Sequence, residues 1–260
     1  MNKIGRHADY DQIAPTYDLR YERNSYAGVS RALLDFVGDQ PRAAILEVGC
    51  GTGHWLEFLQ ERGFPAMGLD LSMRMLSIAR TRLPTISFAQ GTAHRLPWPS
   101  GSFDGLFCIN AIHHFPEKLT FLTEARRVLR PGAQILIVGL DPHNGVDQWY
   151  VYNYFPESLE IDRQRYPAAE SLRSWMREAG FSDCTTQEVE QWTYRLPSQE
   201  IRQQGRLEKA STSQLSVLTD PEYRRGVEKI HSDEERAKIR GETLFLAADL
   251  RLYGTLGKVL

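Results

Sequence analysis

The segment ILEVGCGTGHW, residues 45–55, holds the residue types best spaced to do chemistry. A short apolar run ends at Val48, and Gly49, Gly51 and Gly53 follow at alternate positions. Glycine reaches positive φ without penalty and lets a ligand approach the bare backbone. The residues after Gly53 read as a helix, whose free N–H groups favour an anionic or polar ligand. Glu47 stands two places before the first glycine. Asp70 ends the next apolar run, where a carboxylate could take both hydroxyls of a ribose. The spacing is GxGxG rather than the GxGxxG preferred for a dinucleotide pyrophosphate. A tight strand-to-helix turn with no ligand is the bland alternative, and it leaves both carboxylates unexplained. Further along, His113 and His114 follow a fourth apolar run. A neutral imidazole there could take a proton from a hydroxyl, an amine or an acidic carbon. A purely structural pair of histidines is the competing account.

Positioning these groups requires a regular alternation of strands and helices. AAILEV, PAMGLDL, TISFAQ, FDGLFCI and AQILIVGL read as five strands by length and branching. Helices are expected between them: Gly53 to Arg62, with Gly63 as its C′ residue, then one capped by Ser72 and carrying Met75, then Glu117 to Arg130. An earlier helix carrying Ala27, Leu33, Leu34, Phe36 and Val37 ends near Gly38. This rhythm points to an α/β fold with a doubly wound, mostly parallel sheet. Runs such as ILIVGL and GLFCI suit strands covered on both faces. Ligands of such sheets bind beyond the carboxyl ends of the strands.

After Leu140 the rhythm breaks. Asp141 and His143 precede the aromatic run Trp149, Tyr150, Tyr152, Tyr154 and Phe155, whose alternation predicts one face toward a pocket and one toward the core. Packing of a cover is an equal reading. A helix over 168–179, a sixth strand over 183–196 and a seventh in ETLFLAADLRLYG complete a seven-stranded sheet. Three regions follow: an N-terminal helical segment (1–40), a cofactor-binding domain (41–196 plus 242–260), and a helical insertion or lid (197–241). The charges of that insertion (Glu200, Arg202, Arg206, Glu208, Lys209, Arg224, Arg225) read chiefly as a solvated helix face.

The 260 residues are 42% hydrophobic and 25% charged, which is ordinary globular usage. A net charge of −2 offers no basic field for nucleic acid or an anionic membrane. No apolar run approaches the ~20 residues of a bilayer span, and MNKIGRHADYDQ lacks the apolar core of a secretory signal. The three cysteines, Cys50, Cys108 and Cys184, have no paired spacing. That argues for a reduced, cytoplasmic setting and against a disulfide framework or a metal site.

ILEVGCGTG, then GLDLS, then QGTAHRLPWPSGSFDGLFCINAIHHF, then EARRVLRPGAQILIV resembles a class I S-adenosylmethionine-dependent methyltransferase. The resemblance is to the small-molecule branch that includes the ubiquinone and menaquinone biosynthesis methyltransferases. It covers residues 10–140 well and 141–260 loosely. YDQIAPTYDLRY is similar to that branch's Tyr-Asp-containing first helix. The resemblance implies a Rossmann-like fold and S-adenosyl-L-methionine as cofactor. Gly49, Gly51 and Gly53, with Cys50 and Thr52 between them, would pass beneath its methionine part. Glu47 would orient that loop and the amino group. Asp70 would hold the ribose, with Leu71 against the adenine and Met75 on the following helix. Asn110 and Ala111 would face the sulfonium. Where family members often carry Gly-Asp-Ala at the adenine amino group, this chain has Gly91, Thr92 and Ala93, so an uncharged hydroxyl replaces a carboxylate.

Methyl transfer from a sulfonium is an in-line displacement, so the protein must mainly align a nucleophile and exclude water. Orientation alone supplies ~7–11 kcal/mol. Candidate catalytic residues are His114, His113 and Tyr17. Tyr17, with Tyr10 and Tyr21, offers an aromatic face toward a cation or substrate, or packs the first helix. An aromatic-rich segment after the fifth strand suits an aromatic or apolar acceptor. Two rivals are a nicotinamide oxidoreductase and a silent cofactor-binding sensor or scaffold. The glycine spacing argues against the first; an acceptor pocket would argue against the second. The sequence lacks an Asn/Asp-Pro-Pro-Tyr/Phe motif for a flipped base and, after the fourth strand, the clustered carboxylates of metal-assisted catechol chemistry.

Overall fold

In a computed structural model, residues 10–14, 17–38 and 44–260 are described. The start of the chain, the boundary drawn at 40/41 and Ala43 of the first expected strand lie outside the described residues. In chain order the elements are α1 (Tyr10–Ile13), α2 (Leu19–Arg23), α3 (Ala27–Val37), β1 (Ile45–Val48), α4 (His54–Gln60), β2 (Ala66–Asp70), α5 (Met73–Arg82), β3 (Ser87–Gln90), β4 (Phe103–Ile109), α6 (Lys118–Val128) and β5 (Leu129–Gly139). Then come β6 (Gln148–Trp149), α7 (Tyr150–Tyr154), α8 (Pro156–Arg165), α9 (Ala169–Glu178), β7 (Phe181–Pro197), α10 (Ser198–Gln203), α11 (Ser213–Ser216), α12 (Asp220–Ile239) and β8 (Phe245–Val259).

The chain divides into two compact units. One comprises Tyr26–Asp141, Pro167–Glu190 and Leu252–Leu260. Its strands run in the order β3-β2-β1-β4-β5, followed by the second half of β8. The first five are parallel, and β8 returns antiparallel to β5 with Gln134 opposite Lys258. This is the doubly wound, mostly parallel Rossmann-like sheet that the strand-helix rhythm predicts. Its strands lie between two apolar layers. Leu46, Leu106, Cys108 and Ile135 share one cluster with Phe121, Leu122 and Ala125 of α6. On α3, Leu33 is fully buried and Phe36 nearly so. Phe36 explains the glycine at 105, where an added Cβ would sit 3.0 Å from the ring.

Helix α6 stops at Val128, two residues before the expected end. Pro131 would clash with the carbonyl of the preceding turn, so β5 begins at Leu129 instead. Phe103 pairs with Leu129 but Gly105 with Gln134. The residues around Pro131 and Gly132 therefore bulge out of the ladder, with Gly132 at a φ of 80°.

The other unit holds the described residues up to Ser25, Pro142–Tyr166 and Gln191–Arg251. Here the expectation of seven strands needs correction: β6 is an extra two-residue strand, pairing Gln148 and Trp149 with Asp249 and Ala248 of β8. In the aromatic run, Tyr150–Tyr154 forms α7, and the expected division into a pocket face and a core face is corrected. Trp149, Tyr150, Tyr152 and Phe155 are all buried, because one helical turn and its flanks face the unit's own core. Phe155 stacks on Tyr223 of α12 at 5.9 Å. Gly226 permits that approach, since a Cβ there would meet the Phe155 ring at 2.1 Å. Helix α12 opens with a capping box from Thr219 and Glu222, a device worth ~1 kcal/mol. Among the described residues, no helix is long and apolar enough to cross a membrane, and no group of three His, Cys, Asp or Glu side chains is placed to hold a metal ion.

Candidate functional site

The glycine turn follows β1 and takes its shape from its neighbours. Gly49, Gly51 and Gly53 have φ of 80°, 52° and 84°, a region closed to most L-residues. The N–H groups of Gly49 and Cys50 donate to the Leu69 carbonyl at 2.7 and 3.1 Å. Gly49 also passes so close to the end of β4 that an added Cβ would lie 2.4 Å from that of Ala111. Bare backbone is thus required on both counts.

Asp70, at the carboxyl end of β2, ties the turn down. Its Oδ2 accepts from the Gly51 N–H at 2.8 Å, and its Oδ1 accepts from the Ser72 N–H at 2.9 Å. Ser72 then caps α5 through its Oγ, which accepts from the Met75 N–H at 3.1 Å. The two bonds engage both oxygens of the carboxylate and fix its orientation. Leu71 beside it is 67% exposed, a large apolar surface facing away from the core.

Glu47 is 1% exposed, and its Oε2 has no hydrogen-bond partner among the described residues. Burial, with the nearby charge of Asp70 adding to it, pushes its carboxyl well above the usual range. A buried acid in that state lacks a cation. Cys50 and Cys108 are buried too, and burial first, then Glu47, pushes both thiols up. They behave as small apolar side chains rather than nucleophiles.

The other expected cofactor residues lie in the same unit, at the carboxyl ends of neighbouring strands. Thr52 and Met75 are buried, and Ala93 and Ala111 nearly so. Thr92 is exposed, just past β3, and the Gly91 N–H donates to the Asp70 carbonyl at 3.0 Å. Asn110, after β4, has a φ of 52°, which asparagine tolerates better than most side chains. His113 and His114 form a single 3-10 turn beyond Ala111. Their ring centroids are 3.7 Å apart, with His113 buried and His114 half-buried. Tyr17 belongs to the other unit, where its ring lies 6.0 and 6.5 Å from those of Tyr10 and Tyr21 and the Arg20 guanidinium sits 3.7 Å over it.

Two roles escaped sequence reasoning. The Ser72 N–H is a clamp on Asp70, signalled only by the serine two places on. Asp141 is buried and accepts from the Ala169 N–H at 2.9 Å. It holds the start of α9, where a negative charge is favoured. Beside it lies a cavity of about 20 Å³ lined by Ile112, Gly139, Leu172 and Thr255, room for one water but no acceptor.

A family model described as a methyltransferase domain matches residues 46–137. A demethylmenaquinone methyltransferase from Lactococcus lactis is 32% identical over 171 residues, 56% of this chain and 68% of the relative. A phthiotriol/phenolphthiotriol dimycocerosates methyltransferase from Mycobacterium leprae is 38% identical over 50% of this chain, which spans about half of that relative, 49%. The solved structure of Haemonchus contortus phosphoethanolamine N-methyltransferase 2 with S-adenosyl-L-methionine shares the fold. Its TM-score is 0.62 at 19% identity, covering 96% of this chain and 57% of that one.

The chain belongs to the class I S-adenosylmethionine-dependent methyltransferases. It is an enzyme that transfers a methyl group from that cofactor to a small-molecule acceptor by in-line displacement. The residues fit the cofactor: a buried acid with an unpartnered oxygen suits an ammonium, a turn with no room for a Cβ at Gly49 suits close backbone contact, and an exposed leucine next to Asp70 suits a flat base.

Proposed function

We propose that this methyltransferase holds its cofactor through Glu47 at the amino group, the backbone of residues 49–53 beneath the methionine part, and Asp70 at the ribose. Leu71 covers one face of the adenine, with Met75 below it, and Thr92 between Gly91 and Ala93 meets the adenine edge through its hydroxyl. Asn110 and Ala111 line the side nearest the sulfonium. When bound, the cofactor supplies a methyl group already activated on a cationic sulfur. The protein's own work is alignment and water exclusion. His114 accepts, on a neutral ring nitrogen, the proton that an O–H or N–H acceptor sheds, with His113 fixing the imidazole beside it.

The observation that carries this reading is the buried, unpartnered Oε2 of Glu47 behind the glycine turn. For the acceptor we favour an aromatic or apolar molecule. The relatives named above act on demethylmenaquinone and on phthiotriol and phenolphthiotriol dimycocerosates. The test is a screen of such acceptors with methyl-labelled cofactor, followed by kcat for His114→Ala and His113→Ala. A fall of about 100-fold or more in His114→Ala, the usual worth of general-base catalysis, supports the base. Unchanged kcat in both histidine variants removes it.

A further inference from the structure

Within the unit formed by the described residues up to Ser25, Pro142–Tyr166 and Gln191–Arg251, one buried cation is conspicuously under-used. Arg165 ends α8 and is 6% exposed. Its Nη2 donates to Asp162 Oδ1 at 2.5 Å. Its Nε and Nη1 have no hydrogen-bond partner among the described residues. A guanidinium carries five N–H donors, so three of them, one on Nε and two on Nη1, are buried and unanswered. Such groups are costly to leave unmade, and more so on a charged side chain.

The existing partner cannot supply the deficit. Asp162 is fully buried, and its other oxygen, Oδ2, accepts from the Tyr152 hydroxyl at 2.8 Å. The surroundings are aromatic rather than acidic. The Arg165 guanidinium carbon is 5.8 Å from the Tyr166 ring centroid. The Tyr166 hydroxyl is held by the amide of Gln214, whose Nε2 donates to it at 3.2 Å. Tyr10 lies within electrostatic range of both Arg165 and Arg20. Flat apolar rings around a desolvated guanidinium disfavour a hydrated metal and favour an organic anion. Arginine is the side chain suited to a planar oxyanion.

We propose that Arg165 is the anchor of a binding site for the oxyanion of a small organic molecule, of the carboxylate class, with Tyr10 and Tyr166 flanking the body of the ligand. Asp162, Tyr152 and Gln214 act as positioning residues: they fix the guanidinium and the Tyr166 hydroxyl and leave Nε and Nη1 to the ligand. The site goes beyond the reading of the methyl-transfer centre and stands on this unit alone, so either can fail without the other.

The test titrates the full chain with benzoate, with benzyl alcohol as its neutral counterpart and with inorganic phosphate, by calorimetry and thermal shift. Saturable benzoate binding with one site per chain is expected, with a rise in melting temperature that follows ligand concentration by mass action. Benzyl alcohol binds at least about 10-fold more weakly, the equivalent of 1.4 kcal/mol. Phosphate binding more weakly than benzoate supports a carboxylate on a ring; phosphate binding more tightly overturns the carboxylate class. Arg165→Gln abolishes benzoate binding. Because that variant strands Asp162, the pair Arg165→Gln with Asp162→Asn is measured beside it, removing both charges at once. Far-ultraviolet circular dichroism and a cooperative thermal melt matching the original chain show that either variant is folded. The proposal is overturned if neither anion binds the unaltered chain at millimolar concentration, or if benzoate binds the folded double variant as well as the original.

Discussion

The two units solve the same problem, how to keep polar groups in an apolar setting, in opposite ways. In the unit containing Tyr26–Asp141 the polar work is done by backbone. The N–H groups of Gly51 and Ser72 hold Asp70, and the turn at 49–53 presents bare main chain. In the unit containing Pro142–Tyr166 it is done by pairs of side chains: Tyr152 with Asp162, Gln214 with Tyr166, Tyr154 with Asp233. A backbone-built site tolerates little change of residue type, because its glycines are fixed by φ and by clearance. A side-chain network tolerates coordinated change, because each partner can be replaced together with its mate. The first arrangement suits a shared cofactor and the second a ligand particular to one protein.

The largest expected effect comes from breaking the backbone site at its clamp. Asp70→Ala removes two charge-assisted hydrogen bonds and the ribose acceptor at once. Affinity for S-adenosylhomocysteine should fall by roughly 100-fold, about 2.7 kcal/mol, as read by calorimetry. A loss of less than tenfold would mean that the turn holds its shape without the carboxylate. The matching lesion in the other unit is Gly226→Ala, which drives a methyl group into Phe155. Overpacking of this kind costs about 1–3 kcal/mol. Denaturant unfolding should show that loss, and an unchanged midpoint would show that α12 is not tightly packed there.

Glu47→Gln separates stability from binding inside one unit. Burial holds the Glu47 carboxyl well above its ordinary value. The native state therefore keeps a proton that the unfolded chain gives up, and that contribution is full below the ordinary glutamate value of about 4.3. It is lost as pH climbs through the raised folded value, so ligand-free stability declines over that window. The amide should flatten the decline and raise the ligand-free melting temperature at neutral pH, while weakening cofactor binding about 10-fold. In the unaltered protein, binding a cationic amino group beside Glu47 should release a proton below the raised value, which calorimetry in buffers of different ionisation heat detects. A melting temperature that falls in the glutamine variant contradicts the assignment of a strained, cation-lacking acid. The smallest effect is a gain: Thr92→Asp restores the carboxylate common in the family and should tighten binding by about 3-fold, since bonds to charged groups exceed neutral ones. No tightening would place the adenine edge elsewhere.

The same contrast explains what the sequence disclosed. The glycine turn, Asp70 and the helix started by Ser72 are close in the chain, so their spacing reports their geometry. The strand and helix alternation is a periodic signal of the same local kind, and it recovers the presence and parallel direction of β1 to β5, though not their order across the sheet. Helix α6 ends two residues short of the expected Arg130 because Pro131 acts backwards on the preceding turn. In the second unit the evidence is nonlocal. Nothing near Phe155 announces that Gly226 will receive its ring, and the apparent alternation of 149–155 is overridden by burial in α7. Arg165 reads in sequence as one more charge on a polar helix. Only its burial and the unpartnered Nε and Nη1 donors of the folded chain mark it out.

The central claim is that the turn at 49–53, Glu47 and Asp70 together receive an adenosyl amino acid. Isothermal titration of the purified chain with S-adenosylhomocysteine tests it most directly. One binding event per chain is expected, suppressed in Asp70→Ala and shifted with pH as Glu47 titrates. No heat with that compound or with S-adenosylmethionine, alongside measurable binding of a nicotinamide dinucleotide, would contradict the account.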